Sequence, residues 1–328
     1  MKKYIALLLF LNVSRLAASV IVSAYGAKGD GVSDDTAAFQ RALNSGQEVH
    51  VPPASYAIRG TITMPDGATL IGENNPLLLA GPQRLFVFSS SGKWVTVRGF
   101  RIDGQNQGGN IFNWENAYQI RIADCTLINA AEAFVQVYGQ CGNSYIEGCV
   151  ISNMSSFAWN FAQGQGSGLW IKDCEVISSG NVSAMYFWGY GAVDIQNFNE
   201  WYNGTSPKLS GWALQFYNCY DLSINDATLD GLSSGGFYFQ GCNDFTGNGD
   251  KSIGCAQNGF DFINCWNGSF TNIVAYGNLG NGMVLSSCAD LTFSSLALNN
   301  NVGYGLIGLG DGNFSALTAD NNVAGNTQ

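Results

Sequence analysis

The chain has one histidine, His50, and no Cys-x-x-Cys pair. That leaves too few nitrogen and paired sulfur ligands for a zinc centre and argues against histidine-based catalysis. Only 14 of 328 residues are Lys or Arg, against 24 Asp or Glu, for a net charge of -10. A surface this poor in cations does not suit a phosphate backbone or an anionic membrane. Long apolar runs are also missing. The run from Tyr4 to Val13 is too short to cross a bilayer. Preceded by Lys2 and Lys3 and followed by Ala17, Ala18 and Ser19, it reads as an export signal over residues 1–19. A secreted, periplasmic or cell-surface location follows as an expectation. Proline is scarce at 6 residues and glycine abundant at 42, which suits a chain of many tight turns.

What the chain does have is a repeat. Cys219, Cys242, Cys265 and Cys288 are spaced 23 residues apart, each between two short alternating apolar runs. Cys141 and Asp311 extend the register outwards, and Cys125, Cys149 and Cys174 form a second series. A constant period carrying short strands is the mark of a solenoid, one coil per repeat. Equivalent residues then stack ~4.8 Å apart, and the cysteines become columns of small buried apolar groups, free rather than bridged. Phe237 and Phe239, Phe260 and Phe262, and Met283 and Leu285 are the expected core columns. Asn129, Asn153, Asn225, Asn272 and Asn299 are expected at turns with left-handed backbone. We divide the mature chain into an N-terminal cap with the first coils, 20–92, and a parallel β-helix, 93–328. In the cap, Val20 to Ser23 reads as a strand. Ser33 or Asp34 reads as the N-cap of a helix that covers the raw end of the solenoid.

The stretch AYGAKGDGVSDDTAAFQRAL, followed by VHVPPASYAIRGTITMPDGATLIGE, resembles the N-terminal region of the pectate-lyase superfamily. The resemblance implies an all-β, right-handed parallel β-helix acting on polysaccharides. The Asp-Asp and Gly-His-Gly elements of polygalacturonases, the Asp-Pro-His-Glu motif of alginate epimerases and the Arg-containing signature of the calcium-dependent pectate lyases are absent. Similarity to the trimeric tailspikes of this superfamily implies that a homo-oligomer could cover the last coil.

Outward residues of the first strand in each coil form a strip of amides, phenols and one carboxylate. They include Gln136, Tyr138, Asn160, Gln215, Tyr217, Tyr238, Gln240 and Asp261. Rings cover the flat faces of sugars and amides bond their rims, so the strip reads as a glycan groove. The segment 184–210 adds Trp188, Tyr190, Trp201 and Tyr202, and its residues from Asn199 to Ser210 read as a loop insertion beside the groove. Glu132, at the start of a groove strand, is similar in position to a polygalacturonase acid. For catalysis, Glu200 and Asp261 are expected about two coils apart, ~10 Å by stacking, with Asp194 an alternative partner. Lys208 and Tyr238 are candidates for base or charge neutraliser in an elimination. No cofactor is expected, with calcium entering only if the reaction is a lyase's. The expected activity is cleavage of a polysaccharide by a lyase or glycosidase. The alternatives are a non-catalytic glycan-binding adhesin or a polymer-level uronate epimerase.

Overall fold

The computed structural model describes residues 19–46, 48–81, 87–106, 110–130, 134–153, 157–164, 166–178, 183–202, 211–232, 234–308 and 311–328. The expected export signal therefore falls outside the described residues, except for Ser19. That residue opens the first strand, Ser19–Ile21, paired with Glu48–His50. A 3-10 turn, Val22–Tyr25, follows where the sequence suggested more strand.

The chain is a right-handed parallel β-helix, and every strand pair recorded is parallel. Each full coil lays down three strands. The first joins a 12-stranded sheet, the front sheet. The second and third join a 24-stranded sheet as two ladders that meet at a tight bend, here the side and rear ladders. Asp124, Asp173, Asn197, Asp226 and Asn272 take positive φ at that bend, where a short polar side chain tolerates left-handed backbone. Asn129, Asn153 and Asn272 are left-handed as expected. At the other two turns the role falls one residue later, on Asp226 and Asn300.

The core is stacked rings. Phe237 lies on Phe260 at 4.5 Å, and Phe216, Phe239 and Phe262 form a continuous pile at 5.1 and 4.9 Å. All nine cysteines are free, and eight are buried. The main thiol column follows the turn between front sheet and side ladder, where backbone bonds link Asn243 to Cys219, Trp266 to Cys242 and Ala289 to Cys265. Its gap between Cys141 and Cys219 has a physical filler. Tyr190 occupies the column position, is buried, and donates its hydroxyl to the Cys141 carbonyl at 3.3 Å. Gly166, on the coil between, makes room: a Cβ there would meet the Tyr190 ring at 2.6 Å and the Cys141 oxygen at 1.9 Å. Asp311 does not continue the column. The last coil is 21 residues long, as Thr292 pairs with Asn313, which moves the position outside the described residues.

At the N-terminal end the helix Thr36–Leu43 packs its buried Phe39, Ala42 and Leu43 on the first coil. Its N-cap is Asp35, one residue later than expected. Asp34 still serves the helix start, accepting from the Thr36 N–H at 3.0 Å. Asp35 accepts from the backbone N–H groups of Lys28 and Gly29. His50 sits between Glu48 and Glu73, both at 2.8 Å, and these bonds raise its pKa.

Near the C-terminal end a buried asparagine ladder runs through Asn278, Asn301 and Asn322. Each side-chain oxygen accepts the backbone N–H one coil earlier. One carboxyl inside the coils lacks this economy. Asp250 is buried, accepts the Ala227 N–H at 3.0 Å with one oxygen, and has no partner for the other. Burial holds its pKa well above the usual carboxylate range. The folded chain therefore binds a proton that the unfolded chain releases. Stability from this group is full below the unfolded pKa and is lost as pH rises towards the raised folded value, at up to about 1.4 kcal/mol per pH unit. Asp250→Asn cannot ionise and keeps the acceptor. Calorimetry at pH 7 is expected to show the variant melting several degrees higher, with the two chains converging near pH 3. Identical melting at pH 7 would contradict this account.

Candidate functional site

Parallel register turns the outer face of the front sheet into two columns. One runs Asn113, Gln136, Asn160, Tyr186, Gln215, Tyr238 and Asp261. The other runs Trp188, Tyr217, Gln240 and Ile263. The strip expected from alternation is thus in place. One local departure is a bulge beside Tyr138, whose partner is Gln163 rather than the next residue in step.

Over three coils the strip is aromatic. Tyr186 to Tyr217 is 5.2 Å, Trp188 to Tyr217 5.9 Å, Tyr217 to Tyr238 5.3 Å and Trp212 to Tyr238 5.1 Å. Trp188 is half exposed, so the ladder has an open edge. The amides between the rings are held. Gln215 donates to Ser183 Oγ at 2.5 Å and to the Trp212 carbonyl at 3.0 Å. Gln240 Oε1 accepts the Tyr238 hydroxyl at 2.8 Å.

Asp261 ends the aromatic run, directly after Tyr238 in the register. Its Oδ2 accepts from Asn258 Nδ2 at 3.2 Å, and its Oδ1 has no partner. Asn258 is itself fixed, because its Oδ1 accepts both the backbone and side-chain N–H of Asn281, at 2.8 and 2.9 Å. Burial pushes the Asp261 carboxyl up to about 6, partly opposed by the Asn258 bond. Burial and the neighbouring Tyr217 and Asp261 push the Tyr238 hydroxyl up to about 12. Near neutral pH the carboxyl is the group able to take a proton and the phenol the group able to give one.

The expected Glu200–Asp261 pair does not form. Asn199–Tyr202 is a strand of the rear ladder, not part of an insertion, and Glu200 pairs in register with the core residues Val176 and Leu229. Its side chain is buried, in a different sheet and three coils from Asp261, ~14 Å along the axis alone. Asp194 lies in the side ladder between Trp170 and Ser223. Tyr190 is core, as described above. Trp201 is on the rear ladder and donates to Glu175 at 2.5 Å, and Tyr202 packs partly against the core, so neither flanks the front strip. Each correction has one cause: counted as a coil, residues 184–202 use three strands, where the sequence reading gave them one strand and a loop. Glu132 and Lys208 lie outside the described residues.

The sequence reading missed Tyr186, Trp212 and Asn258. The alternation of Met185 and Phe187 inwards with Tyr186 and Trp188 outwards matches Leu214 and Phe216 with Gln215 and Tyr217, and could have placed Tyr186.

With the fold and strip established, comparison with known proteins gives the family. The chain belongs to the family described as rhamnogalacturonase A/epimerase, pectate lyase-like, which residues 19–307 match. Among curated proteins it is similar to the SPbeta prophage-derived uncharacterized protein YomE of Bacillus subtilis, 25% identical over 224 residues, covering 57% of this chain and 33% of that one. It is also similar to the preneck appendage protein of Bacillus phage PZA, 45% identical over 53 residues, 16% of this chain and 6% of that one. The matches thus span a third or less of these relatives' own length. Among solved structures, the A-module of the Azotobacter vinelandii mannuronan C-5 epimerase AlgE6 superposes with a TM-score of 0.60 at 13% identity, covering 94% of this chain and 99% of that one. At that identity the likeness concerns the fold.

Proposed function

We propose that the chain binds an extended acidic polysaccharide along the front strip and cleaves it by β-elimination at Asp261. The observation that carries this reading is the Tyr186–Tyr217–Tyr238 ladder ending on a carboxyl raised to about 6. In the proposed step Asp261 takes the proton α to the uronate carboxyl. The electron pair forms the new C=C bond, the glycosidic C–O bond at the β carbon breaks, and Tyr238 protonates the departing oxygen. Hydrolysis fits less well. It requires two carboxylates within ~5–9.5 Å, and on the described front strands the only acids are Glu115 and Asp261. They are six coils apart, ~29 Å.

A panel of uronans and neutral glycans tests the reading. Absorbance near 235 nm from unsaturated ends is expected on at least one uronan. Reducing ends without that absorbance would replace elimination by hydrolysis, and a changed uronate ratio without cleavage would replace it by epimerisation. A second reading is binding without turnover. It is supported by the burial of Asp261, which is 8% exposed, and would show as saturable binding with no product. A secreted or surface location is part of the proposal, as is a homo-oligomer covering the last coil, which sedimentation of the purified chain would reveal.

A further inference from the structure

The outer column of the side ladder changes character half way along. In register it reads Thr96, Arg121, Tyr145, Trp170, Asp194, and then Ser223, Thr246, Ser269 and Thr292. The second half shows that this position needs only a small hydroxyl side chain to complete a coil. The large and charged residues of the first half are thus not demanded by the fold.

Those residues build a shaped feature. Tyr145 and Trp170 stack at 4.6 Å with their planes 10° apart. The Trp170 ring lies back over Gly168, where a Cβ would come within 3.2 Å of it. The next residue in the column, Asp194, is short. The column therefore drops from an indole to a carboxylate, and the Trp170 face turned towards that coil meets no further ring among the described residues. The hollow there, about 210 Å³, is lined by Trp170, Lys172, Asp194 and Gln196 together with Tyr145 and Glu147. Its polar groups are fixed at one end only. Asp194 Oδ2 accepts from Gln196 Nε2 at 2.9 Å, whereas Asp194 Oδ1 is shielded from solvent and has no partner. Beyond Tyr145 a second hollow, about 390 Å³, continues past Arg121 to the exposed Trp94. Arg121 is tied to Glu147 at 2.9 Å.

We propose that this step is a second sugar-binding site, distinct from the front strip, which holds one pyranose ring of a glycan against Trp170. An indole face beside an acid, an amide and an ammonium matches a ligand that is apolar on its faces and hydroxylated at its rim. A ligand hydroxyl donates to the Asp194 carboxylate, a small turn of that side chain bringing the shielded Oδ1 to the hollow and giving it its missing partner. Lys172 and Gln196 supply donors to the ring oxygens. The site lies on another face from Asp261 and acts as an anchor on the polymer, with no part in the chemistry. It stands whether or not the front strip is catalytic.

The ladder supplies its own conservative test. The variant Tyr145→Ser, Trp170→Thr, Asp194→Ser installs the side chains that the same column carries three coils on, Ser223, Thr246 and Ser269. Calorimetric titration with hexamers of galacturonate, mannuronate, xylose and glucose is expected to show binding of at least one probe. The triple variant should lose that event or weaken it at least tenfold, with its melting transition retained. A front-strip variant, Trp188→Ala with Tyr217→Ala, should keep it. An isotherm unchanged in the triple variant overturns the site, as does the absence of binding by every probe. So does a concentration-dependent dimer seen in sedimentation of the wild type and lost in the triple variant, which would make the step a contact between copies.

Discussion

Asp261→Asn is expected to lower turnover by about 10²–10⁴-fold, the usual worth of a positioned general base, with glycan affinity kept within a few fold. The asparagine is close in size and retains an oxygen that can accept from Asn258, but it cannot take a proton. The wild-type pH profile should carry the same signature. Activity requires the ionised carboxyl, so kcat/KM should rise through about pH 6 and then level off, because burial has moved the Asp261 pKa there. Asn258→Ala removes the bond that favours the ionised form, so its rising limb should move to higher pH. Full activity in Asp261→Asn would remove this residue from the chemistry. A limb near pH 4 would contradict the role of burial. The same raised pKa has a stability side. The folded chain holds the proton more tightly than the unfolded one, so stability from Asp261 is full below about pH 4 and is lost as pH rises through about 6.

Phe239→Ala is expected to cost about 3–5 kcal/mol, the range for an aromatic ring removed from a core. At ~2–4 °C per kcal/mol for chains approaching this length, the melting temperature should fall by roughly 6–20 °C. Phe239 is fully buried and meets four rings, Phe216 at 5.1 Å, Phe262 at 4.9 Å, Phe245 at 5.4 Å and Phe270 at 5.9 Å. Its loss breaks the pile between adjacent coils. In a solenoid each coil is held by its neighbours, so the damage should concentrate there, with hydrogen exchange fastest over 212–263. A loss under 1 kcal/mol by calorimetry would show that the piles can collapse around a vacancy.

The fold was legible because its repeat is set by chain length. Twenty-three residues recurring with cysteine at one corner fix the stacking, and stacking fixes the core columns and the outward strip. Reading failed where coil length changes. Between Cys174 and Cys219 no cysteine marks the main corner, Tyr190 standing in its place, so the coil's last strand, Asn199–Tyr202, was taken for part of an insertion. Glu200 was misplaced as a consequence. Composition does not distinguish an acid turned inwards in the rear ladder from one on a loop. The short last coil misplaced Asp311 in the same way. Asp261 was found because it sits in a regular coil. Its raised pKa and its tie to Asn258 depend on burial and on the bonds from Asn281 that fix Asn258, which alternation alone does not reveal.

Tyr190 carries a consequence for the cysteines. A phenol that takes a thiol's place in the column, with glycine beneath to accommodate it, shows that the corner selects for volume rather than sulfur chemistry. Burial also pushes the Cys255 thiol, which lies outside this column, up to about 12 and so suppresses its thiolate, the form that oxidants and electrophiles attack. The protein carries nine sulfhydryls and no disulfide among them. While folded, it should be as much at home in a reducing compartment as in an oxidising one.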